Sequence, residues 1–373
     1  MSCVQGDLFW ALPARFVFFS AFCSAPVEAA NPIQLENLRP GTAAWQLTQP
    51  AEYGEIEGYA SLTSVNRGGQ ISFFVNTAEP FYTIDIYRMG WYGGAGARLV
   101  RGGITRKGIQ QSIPSPDPLT GLIECNWTDP YVLITSNPAD PSDWLSGIYL
   151  AKLTAGVSGK QSYIIFAVRE DDRPSDYLVQ SSVTTYQAYN NWGGKSLYQF
   201  NSVGSPARKV SFNRPYVGSE NPLAARGNGA GDFLTNNSVP PKDPASPAGW
   251  EYNMVRWLER EGYDVTYSTN IDTHANPMLL ALHKAWLSIG HDEYWSWEMR
   301  ANIERARDRN VGLAFFSGNT CYWQIRLEPS PTTGEPNRTI VAYKDEALRE
   351  DPYALDADPT NDHFITSRWR EPP

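Results

Sequence analysis

Ala285-Trp286-Leu287-Ser288-Ile289-Gly290 is the stretch that most strongly indicates the fold. Its apolar residues predict a buried strand. Residues 296–310 predict an amphipathic helix with Ser296 as its N-cap, and residues 311–316 are apolar again. A strand, a helix and a second strand in this order are typical of a parallel sheet, because parallel neighbours need a crossover connection.

The same alternation extends towards the N-terminus as far as residue 177. Residues 250–261 predict a further helix, which ends at Gly262. Three other runs predict strands, namely 177–185, 208–212 and 265–268. We therefore expect residues 173–373 to form an α/β domain of amidotransferase-like type, with a mostly parallel, doubly wound sheet and helices on both faces.

Residues 31–172 have a different pattern. Short aromatic or β-branched runs alternate there with clusters of Gly, Pro, Asn and Asp, and no long helical period interrupts them. This pattern predicts an all-β, immunoglobulin-like sandwich domain, joined to the α/β domain by the charged, proline-containing segment 170–176. Two domains also suit the length of 373 residues, because a single core usually serves about 100–200 residues.

The first thirty residues predict a signal peptide. An uncharged apolar run covers residues 16–27, and Ala29 provides a small residue before a cleavage point. The run is too short to cross a bilayer, so we expect no integral membrane segment and a secreted or periplasmic protein. We expect no nucleic-acid partner, because the net charge is −9 and the sequence has no basic stripe.

Two predicted strand ends carry polar side chains. His291, Asp292 and Glu293 follow the first strand, and residues 317–323 follow the next. Ligands bind at the carboxyl ends of strands in open α/β sheets, so neighbouring strands would bring these loops together. An imidazole beside two carboxylates suits a metal or acid/base site. The alternative is a helix N-terminus in which the carboxylates only complement the helix dipole.

Five longer motifs share one resemblance. They are Tyr-Arg-Met-Gly-Trp-Tyr-Gly-Gly (87–94), Ala-Tyr-Asn-Asn-Trp-Gly-Gly-Lys-Ser-Leu-Tyr (188–198), Ser-Phe-Asn-Arg-Pro-Tyr (211–216), Gly-His-Asp-Glu-Tyr-Trp (290–295) and Ser-Gly-Asn-Thr-Cys-Tyr-Trp-Gln (317–324). In this order they resemble the large-subunit family of N,N-dimethylformamidase. The enzyme that names this family hydrolyses dimethylformamide at a mononuclear ferric ion held by two tyrosinates and one glutamate.

The resemblance implies a set of metal ligands in this chain. Glu293 resembles the carboxylate ligand and Tyr216 one phenolate ligand. Tyr189 best fits the second phenolate, with Tyr186 and Tyr198 as alternatives. Three anionic oxygen ligands suit Fe(III), a hard Lewis acid.

The resemblance also implies roles outside the ligand set. His291 and Asn319 resemble residues that orient water or substrate around the metal. The implied reaction is hydrolysis of the C–N bond of a small amide, and a small second subunit or a homo-oligomer is the implied assembly. Residues 366–373 close with no regular element, which predicts a truncated domain that lacks a further acid used by the family.

Two alternatives to an iron hydrolase stay open. In one, Cys321 is the nucleophile of an amidotransferase-like hydrolase, with His291 as base and Glu293 as the group that orients it. In the other, the chain is a secreted, non-catalytic module that binds a glycan or a protein. Cys125 and Cys321 would be the cysteines left after export, and the sequence leaves open whether they form a disulfide.

Overall fold

The computed structural model describes residues 29–140, 142–218, 227–235 and 249–371. Asn31–Pro373 belongs to one compact unit. The predicted signal peptide lies outside the described residues apart from its last two. None of the described helices is long and apolar enough to span a membrane.

The described residues contain sixteen strands. They are β1 (Ile56–Ala60), β2 (Ser64–Asn66), β3 (Gln70–Thr77), β4 (Phe81–Met89), β5 (Ala97–Lys107), β6 (Tyr131–Ile134), β7 (Gly147–Ala155), β8 (Gln161–Arg169), β9 (Ser175–Ser181), β10 (Lys209–Ser211), β11 (Val265–Thr269), β12 (His283–His291), β13 (Tyr294–Ser296), β14 (Gly312–Gly318), β15 (Trp323–Glu328) and β16 (Thr339–Val341).

The same residues contain seven α-helices and several 3₁₀ turns. The helices are α1 (Pro32–Glu36), α2 (Val183–Tyr189), α3 (Trp250–Arg260), α4 (Asn270–Ala275), α5 (Trp297–Asp308), α6 (Ala347–Glu350) and α7 (Pro352–Leu355). The turns are Tyr92–Gly94, Trp192–Gly194, Gln199–Asn201, Leu279–Leu282, Lys344–Glu346 and Asp362–Phe364.

The strands between residues 56 and 169 form two sheets. One has the order β1-β3-β6, and the other has the order β2-β8-β7-β4-β5. All neighbours in them are antiparallel except β2 and β8, which are parallel. Side chains from both sheets, including Ile71, Phe73, Ile84 and Phe166, share one buried core.

A four-stranded parallel sheet carries the predicted strand ends. Its order is β11-β9-β12-β14, and every neighbouring pair is parallel. Helix α5 packs on one face, where Met299 and Ile303 meet Leu178 and Trp286. On the other face, Val179 and other strand residues join a core that includes residues of α3 and of the N-terminal sheets.

The prediction of a mostly parallel, doubly wound α/β domain of amidotransferase-like type is wrong. Parallel pairing stops at four strands, and β10-β16-β15-β13 forms a second sheet in which parallel and antiparallel pairs are mixed. Three of those strands have only three residues each. Strand β10 lies within the predicted run 208–212, but β13, β15 and β16 were not predicted, and periodicity does not show whether two strands pair parallel or antiparallel.

Several local predictions agree with the structure. The predicted strand at 285–290 lies within β12, and the helices predicted over 250–261 and 296–310 correspond to α3 and α5. The Ser296 hydroxyl accepts a hydrogen bond from the backbone N–H of Met299 at 3.1 Å, which satisfies an N-terminal donor of α5. The strand predicted over 177–185, however, ends at Ser181, and α2 begins two residues later.

The two predicted domains meet through buried charges. The Arg88 guanidinium of β4 binds both carboxylate oxygens of Glu259 in α3, at 3.0 and 2.8 Å, and both side chains are inaccessible to solvent. Arg169 likewise lies 2.8 Å from Asp272. Removing one member of the buried Arg88–Glu259 pair would lower the free energy of unfolding by about 3–5 kcal/mol. The domain boundary at residues 170–176 stays a prediction.

Candidate functional site

The two polar loops lie side by side at the carboxyl edge of the parallel sheet. Strands β12 and β14 are paired up to His291 and Gly318. Beyond them, the backbone N–H groups of Cys321 and Tyr322 donate to the carbonyls of Asp292 and Glu293, each at 3.0 Å. The predicted meeting of these loops is confirmed.

Glu293 is the centre of the site. Its carboxylate is buried, and each of its oxygens accepts a hydrogen bond from a different tyrosine. The Tyr189 hydroxyl donates to Oε2 at 2.9 Å, and the Tyr198 hydroxyl donates to Oε1 at 2.9 Å. The two phenol rings lie 4.3 Å apart between centroids. Two phenols and one carboxylate therefore converge at one point.

The main chain fixes Glu293 from behind. Its backbone N–H donates to the Thr185 hydroxyl at 3.0 Å, within helix α2. Tyr189 is the last residue of the same helix, so one short element both anchors Glu293 and supplies one of its partners. The site thus depends on the helix that replaces the end of the predicted strand.

The ionisation states in this cluster follow from its partners. Burial would raise the pKa of Glu293, but hydrogen bonds from His291, Tyr198 and Tyr189 outweigh it, so the pKa lies below its ordinary value. Burial and, after it, the charge of Glu293 raise the pKa of both tyrosines. Without a bound metal ion, the Glu293 carboxylate is therefore ionised, and Tyr189 and Tyr198 are neutral hydrogen-bond donors.

His291 connects this cluster to solvent. Its Nε2 lies 3.2 Å from Oε2 of Glu293 and 3.0 Å from Nδ2 of Asn319. His291 is buried, whereas Asn319 is exposed. When Nε2 carries a proton it donates a hydrogen bond to the Glu293 carboxylate, and when it does not it accepts a hydrogen bond from the Asn319 amide, so its partner depends on the tautomer.

Asp292 does not belong to this cluster. Its carboxylate is buried and accepts hydrogen bonds from Gln180 and Asn270 at 2.9 Å and from Ser288 at 2.7 Å. Burial raises its pKa, against those hydrogen bonds. Asp292 therefore joins neighbouring elements of the sheet, and Glu293 is the carboxylate that faces the phenols.

The other two predicted tyrosines have different neighbours. The Tyr186 hydroxyl lies 3.1 Å from the hydroxyl of Ser181. The Tyr216 ring packs edge-on against Tyr186, with centroids 6.1 Å apart. Among the described residues, neither tyrosine makes a hydrogen bond to Glu293. The structure thus brings Tyr189, Tyr198, Glu293, His291 and Asn319 together and places Tyr186 and Tyr216 apart from them.

The sequence did not identify two groups at the site. Tyr294 donates to the Tyr198 hydroxyl at 2.6 Å. The Lys344 ammonium lies 3.3 Å from the Tyr294 hydroxyl and 3.4 Å from the centroid of the Tyr198 ring. Burial lowers the pKa of Lys344 to about 8, against the charge of Glu293. Tyr294 lies within a quoted motif, but Lys344 comes 50 residues later and had no signal.

Both cysteines of the described chain are free thiols. Burial raises the pKa of Cys321 to about 12, so the thiolate that a nucleophile needs is scarce at neutral pH. Cys321 packs instead against the apolar core beneath α5. These properties disfavour a cysteine nucleophile.

A metal at this site would have to use tyrosines. No group of three or more His, Cys, Asp or Glu side chains that could hold a metal ion occurs among the described residues. The convergent donors are two phenol oxygens, two carboxylate oxygens and one imidazole nitrogen. Hard oxygen donors of this kind suit a hard, highly charged cation.

Comparison with known proteins shows the family of the chain. No curated protein matches the sequence. A family model described as N,N-dimethylformamidase beta subunit-like, C-terminal, matches residues 83–373, which include every residue of the cluster around Glu293. A family of beta subunits implies a partner subunit. Since the match covers well over half of the chain and its whole candidate site, the chain belongs to the N,N-dimethylformamidase beta subunit-like family.

Proposed function

We propose that this protein hydrolyses the C–N bond of a small amide and uses a ferric ion held by Tyr189, Tyr198 and Glu293. The observation that carries the proposal is the contact of two phenol hydroxyls with the two oxygens of one buried carboxylate, at 2.9 Å each. The family to which the chain belongs supports amide hydrolysis as the reaction class.

The donor set fits a ferric ion. When bound there, such an ion would supply Lewis acidity for an amide carbonyl and for water. Its charge would also lower the pKa of both phenols, which burial and the charge of Glu293 raise, because a bound cation is the largest local charge and favours the phenolate form. Tyr198 takes the place that the sequence resemblance gave to Tyr216, because, of the candidate tyrosines Tyr186, Tyr189, Tyr198 and Tyr216, Tyr189 and Tyr198 are the two that donate a hydrogen bond to Glu293.

The chain's own residues provide proton transfer and orientation. His291 adjoins Glu293 on one side and the exposed Asn319 on the other, so its imidazole can move a proton to the leaving amine. The Asn319 amide can bind the substrate or hold His291 in one tautomer. Lys344 adds a positive charge beside Tyr198 that would favour its deprotonation.

Metal analysis and absorption spectroscopy of the purified protein test the proposal. We expect about one iron per chain and a visible band, because phenolate bound to a ferric ion absorbs by charge transfer. Glu293→Ala should lose both the iron and the release of formate and dimethylamine from dimethylformamide. A colourless, iron-free protein that still hydrolyses the amide would refute the iron site, and one with neither property would favour the binding-module alternative.

Four single substitutions identify the ligands. Tyr189→Phe and Tyr198→Phe should each weaken or shift the band, whereas Tyr186→Phe and Tyr216→Phe should leave it in place. Tyr186 is a matched control, because it lies in the same helix as Tyr189 and its hydroxyl faces Ser181 instead of Glu293. If Tyr216→Phe loses the band and Tyr198→Phe keeps it, Tyr216 and not Tyr198 is the second phenolate ligand.

Export and assembly are separate proposals. Cleavage after Ala29 would give a secreted or periplasmic protein, and the intact mass of native material would show the loss of about thirty residues. Recovery of the uncleaved chain from the cytoplasm would contradict export. Light scattering of the purified protein, alone and after copurification, would distinguish a second subunit from a homo-oligomer.

A further inference from the structure

Two buried arginines line a small cavity outside the proposed iron site. Arg214 is 1% exposed and Arg338 is 3% exposed. Their side chains line the same cavity of about 30 Å³, together with Tyr216, Ser181 and Thr269. Glu293 and the two tyrosines that contact it do not border this cavity.

The two guanidinium groups bind neutral acceptors. Arg214 donates to the carbonyls of Asn190, Trp192 and Lys195 at 2.8–3.1 Å, and its Nε has no hydrogen-bond partner among the described residues. Arg338 donates to Oδ1 of Asn213 at 2.9 Å and to the carbonyl of Ala60 at 2.8 Å. Carbonyl dipoles solvate these charges in part but do not neutralise them.

Arg88 has a carboxylate partner that Arg214 and Arg338 lack among the described residues. Arg88 is as deeply buried and binds both carboxylate oxygens of Glu259. Within the described ranges, Arg214 and Arg338 form no ion pair. A buried cation without an anion is unfavourable by several kcal/mol, so a native structure normally supplies one.

Two carboxylates lie one residue further away. Glu124 accepts a hydrogen bond from the Asn213 amide at 3.0 Å and reaches Arg338 only through that side chain. Glu251 accepts a hydrogen bond from the Ser181 hydroxyl at 2.7 Å, and burial raises its pKa to about 7, so it is only partly ionised at neutral pH. The exposed Glu335 also acts on Arg338 through its charge, but none of the three carboxylates lines the cavity.

The Tyr216 hydroxyl is a further donor at the cavity. It makes no hydrogen bond with any described residue, and both guanidinium groups are close enough to oppose the rise in its pKa that burial causes. A volume of about 30 Å³ exceeds the ~10–15 Å³ that one water needs, so it admits one small ion but not a larger ligand. We infer that this cavity binds a small monovalent anion, such as chloride or formate, between Arg214, Arg338 and Tyr216.

The inference does not depend on iron or on amide hydrolysis. Thermal unfolding of the whole protein in sodium gluconate, sodium chloride and sodium formate at equal ionic strength tests it. Gluconate is too large for the cavity, so replacing it with a bound anion should raise the midpoint saturably, by several degrees. The half-saturating concentrations of chloride and formate then show which anion the cavity prefers.

Two variants and one control locate the effect. Arg338→Met should abolish the dependence on the anion, and Tyr216→Phe should raise the half-saturating concentration about tenfold, because it removes one hydrogen bond to a charged group. Tyr177→Phe, which removes a phenol hydroxyl elsewhere, should behave like the native protein. Equal unfolding midpoints of the native protein in the three salts would overturn the inference. If Arg338→Met does not fold, Tyr216→Phe decides, and a half-saturating anion concentration equal to that of the native protein would overturn the inference.

Discussion

Strand β12 begins with His283 and ends with His291, and the surroundings of the two residues differ. Both imidazoles are buried, with exposures of 5% and 7%. His283 Nδ1 lies 2.9 Å from the Ser175 hydroxyl, and its Nε2 has no partner in the described part of the chain. His291 instead contacts the ionisable Glu293 and the exposed Asn319. Because the two side chains are buried to nearly the same extent, it is their hydrogen-bond partners that distinguish the two histidines.

The comparison indicates which edge of the sheet is functional. At the amino edge, burial lowers the pKa of His283 to about 4, which keeps the ring neutral among neutral hydroxyls. At the carboxyl edge, three loops bring phenols, a carboxylate and an amide around His291. Loops that follow parallel strands can be varied without changing the sheet, which is why ligand sites occur there.

Alanine substitution of each histidine should separate the two edges most strongly. In His291→Ala, kcat/KM for amide hydrolysis should fall by about 10²–10⁴ because the proton carrier is lost, while iron is retained. In His283→Ala, the activity per folded molecule should be unchanged. Steady-state kinetics, corrected for the folded fraction by circular dichroism, make the comparison. Equal losses in both variants would show that the histidines act through the fold alone.

The amino edge should determine part of the acid sensitivity. His283 has a folded pKa of about 4 against 6.5 for the unfolded chain. Above pH 6.5 the His283 ring is neutral in both the folded and the unfolded state, and its contribution to stability is fully present. That contribution is lost as the pH falls from 6.5 towards 4, because in this range only the unfolded state gains the proton. The loss should be roughly 2–3 kcal/mol. Urea unfolding at pH 7 and pH 4.5 measures it, and His283→Leu should lose less stability than the native protein. A variant as acid-sensitive as the native protein would contradict this assignment.

Asn319 should have a smaller effect, confined to turnover. Asn319→Ala removes the amide 3.0 Å from His291 Nε2, so the imidazole loses one orienting partner and the rate should fall by about 10- to 100-fold. The iron content and the visible band should stay the same. Asn253→Ala, at an exposed position of α3, is the control. Loss of iron in Asn319→Ala would show instead that the amide stabilises the metal ligands.

Sequence alone could identify the part of the site that lies within single motifs. His291 and Glu293 directly follow an apolar strand, and Asn319 follows the next one, so parallel pairing alone brings them together. The sequence could not show that Tyr198 contacts Glu293 and Tyr216 does not, because this depends on how residues 190–201 fold back over α2. Asn201 Nδ2 donates to the Tyr189 carbonyl at 3.0 Å there, a contact that no periodicity predicts.

The sequence predicted where several strands and helices lie, but not how all the strands pair. The nine residues of β12 and the twelve of α5 gave clear periods and were predicted correctly. The three-residue strand β10 lies within the predicted run 208–212, but β13 and β16 were not predicted, and the mixed sheet that these strands form with β15 overturned the doubly wound prediction. Lys344 was missed for a related reason. Its left-handed backbone, with φ of 60°, places it in a turn beside Tyr198 without any local sequence motif.

The smallest effect should come from the hydroxyls that anchor each edge. Thr185→Val leaves the buried backbone N–H of Glu293 without its acceptor at 3.0 Å. A neutral hydrogen bond contributes about 0.5–1.5 kcal/mol, so kcat/KM should fall about threefold to tenfold as Glu293 loses its position.

Ser175→Ala makes the corresponding change at the amino edge, where the hydroxyl lies 2.9 Å from both His283 Nδ1 and the Thr266 hydroxyl. It should lower the free energy of unfolding by about 1 kcal/mol and leave the kinetics unchanged. Paired denaturation and kinetic measurements on both variants sharpen the comparison, since each substitution removes one buried hydroxyl. If Ser175→Ala slowed turnover as much as Thr185→Val, the two ends of β12 would be coupled, and the carboxyl edge could no longer be treated as a site that acts separately from the rest of the sheet.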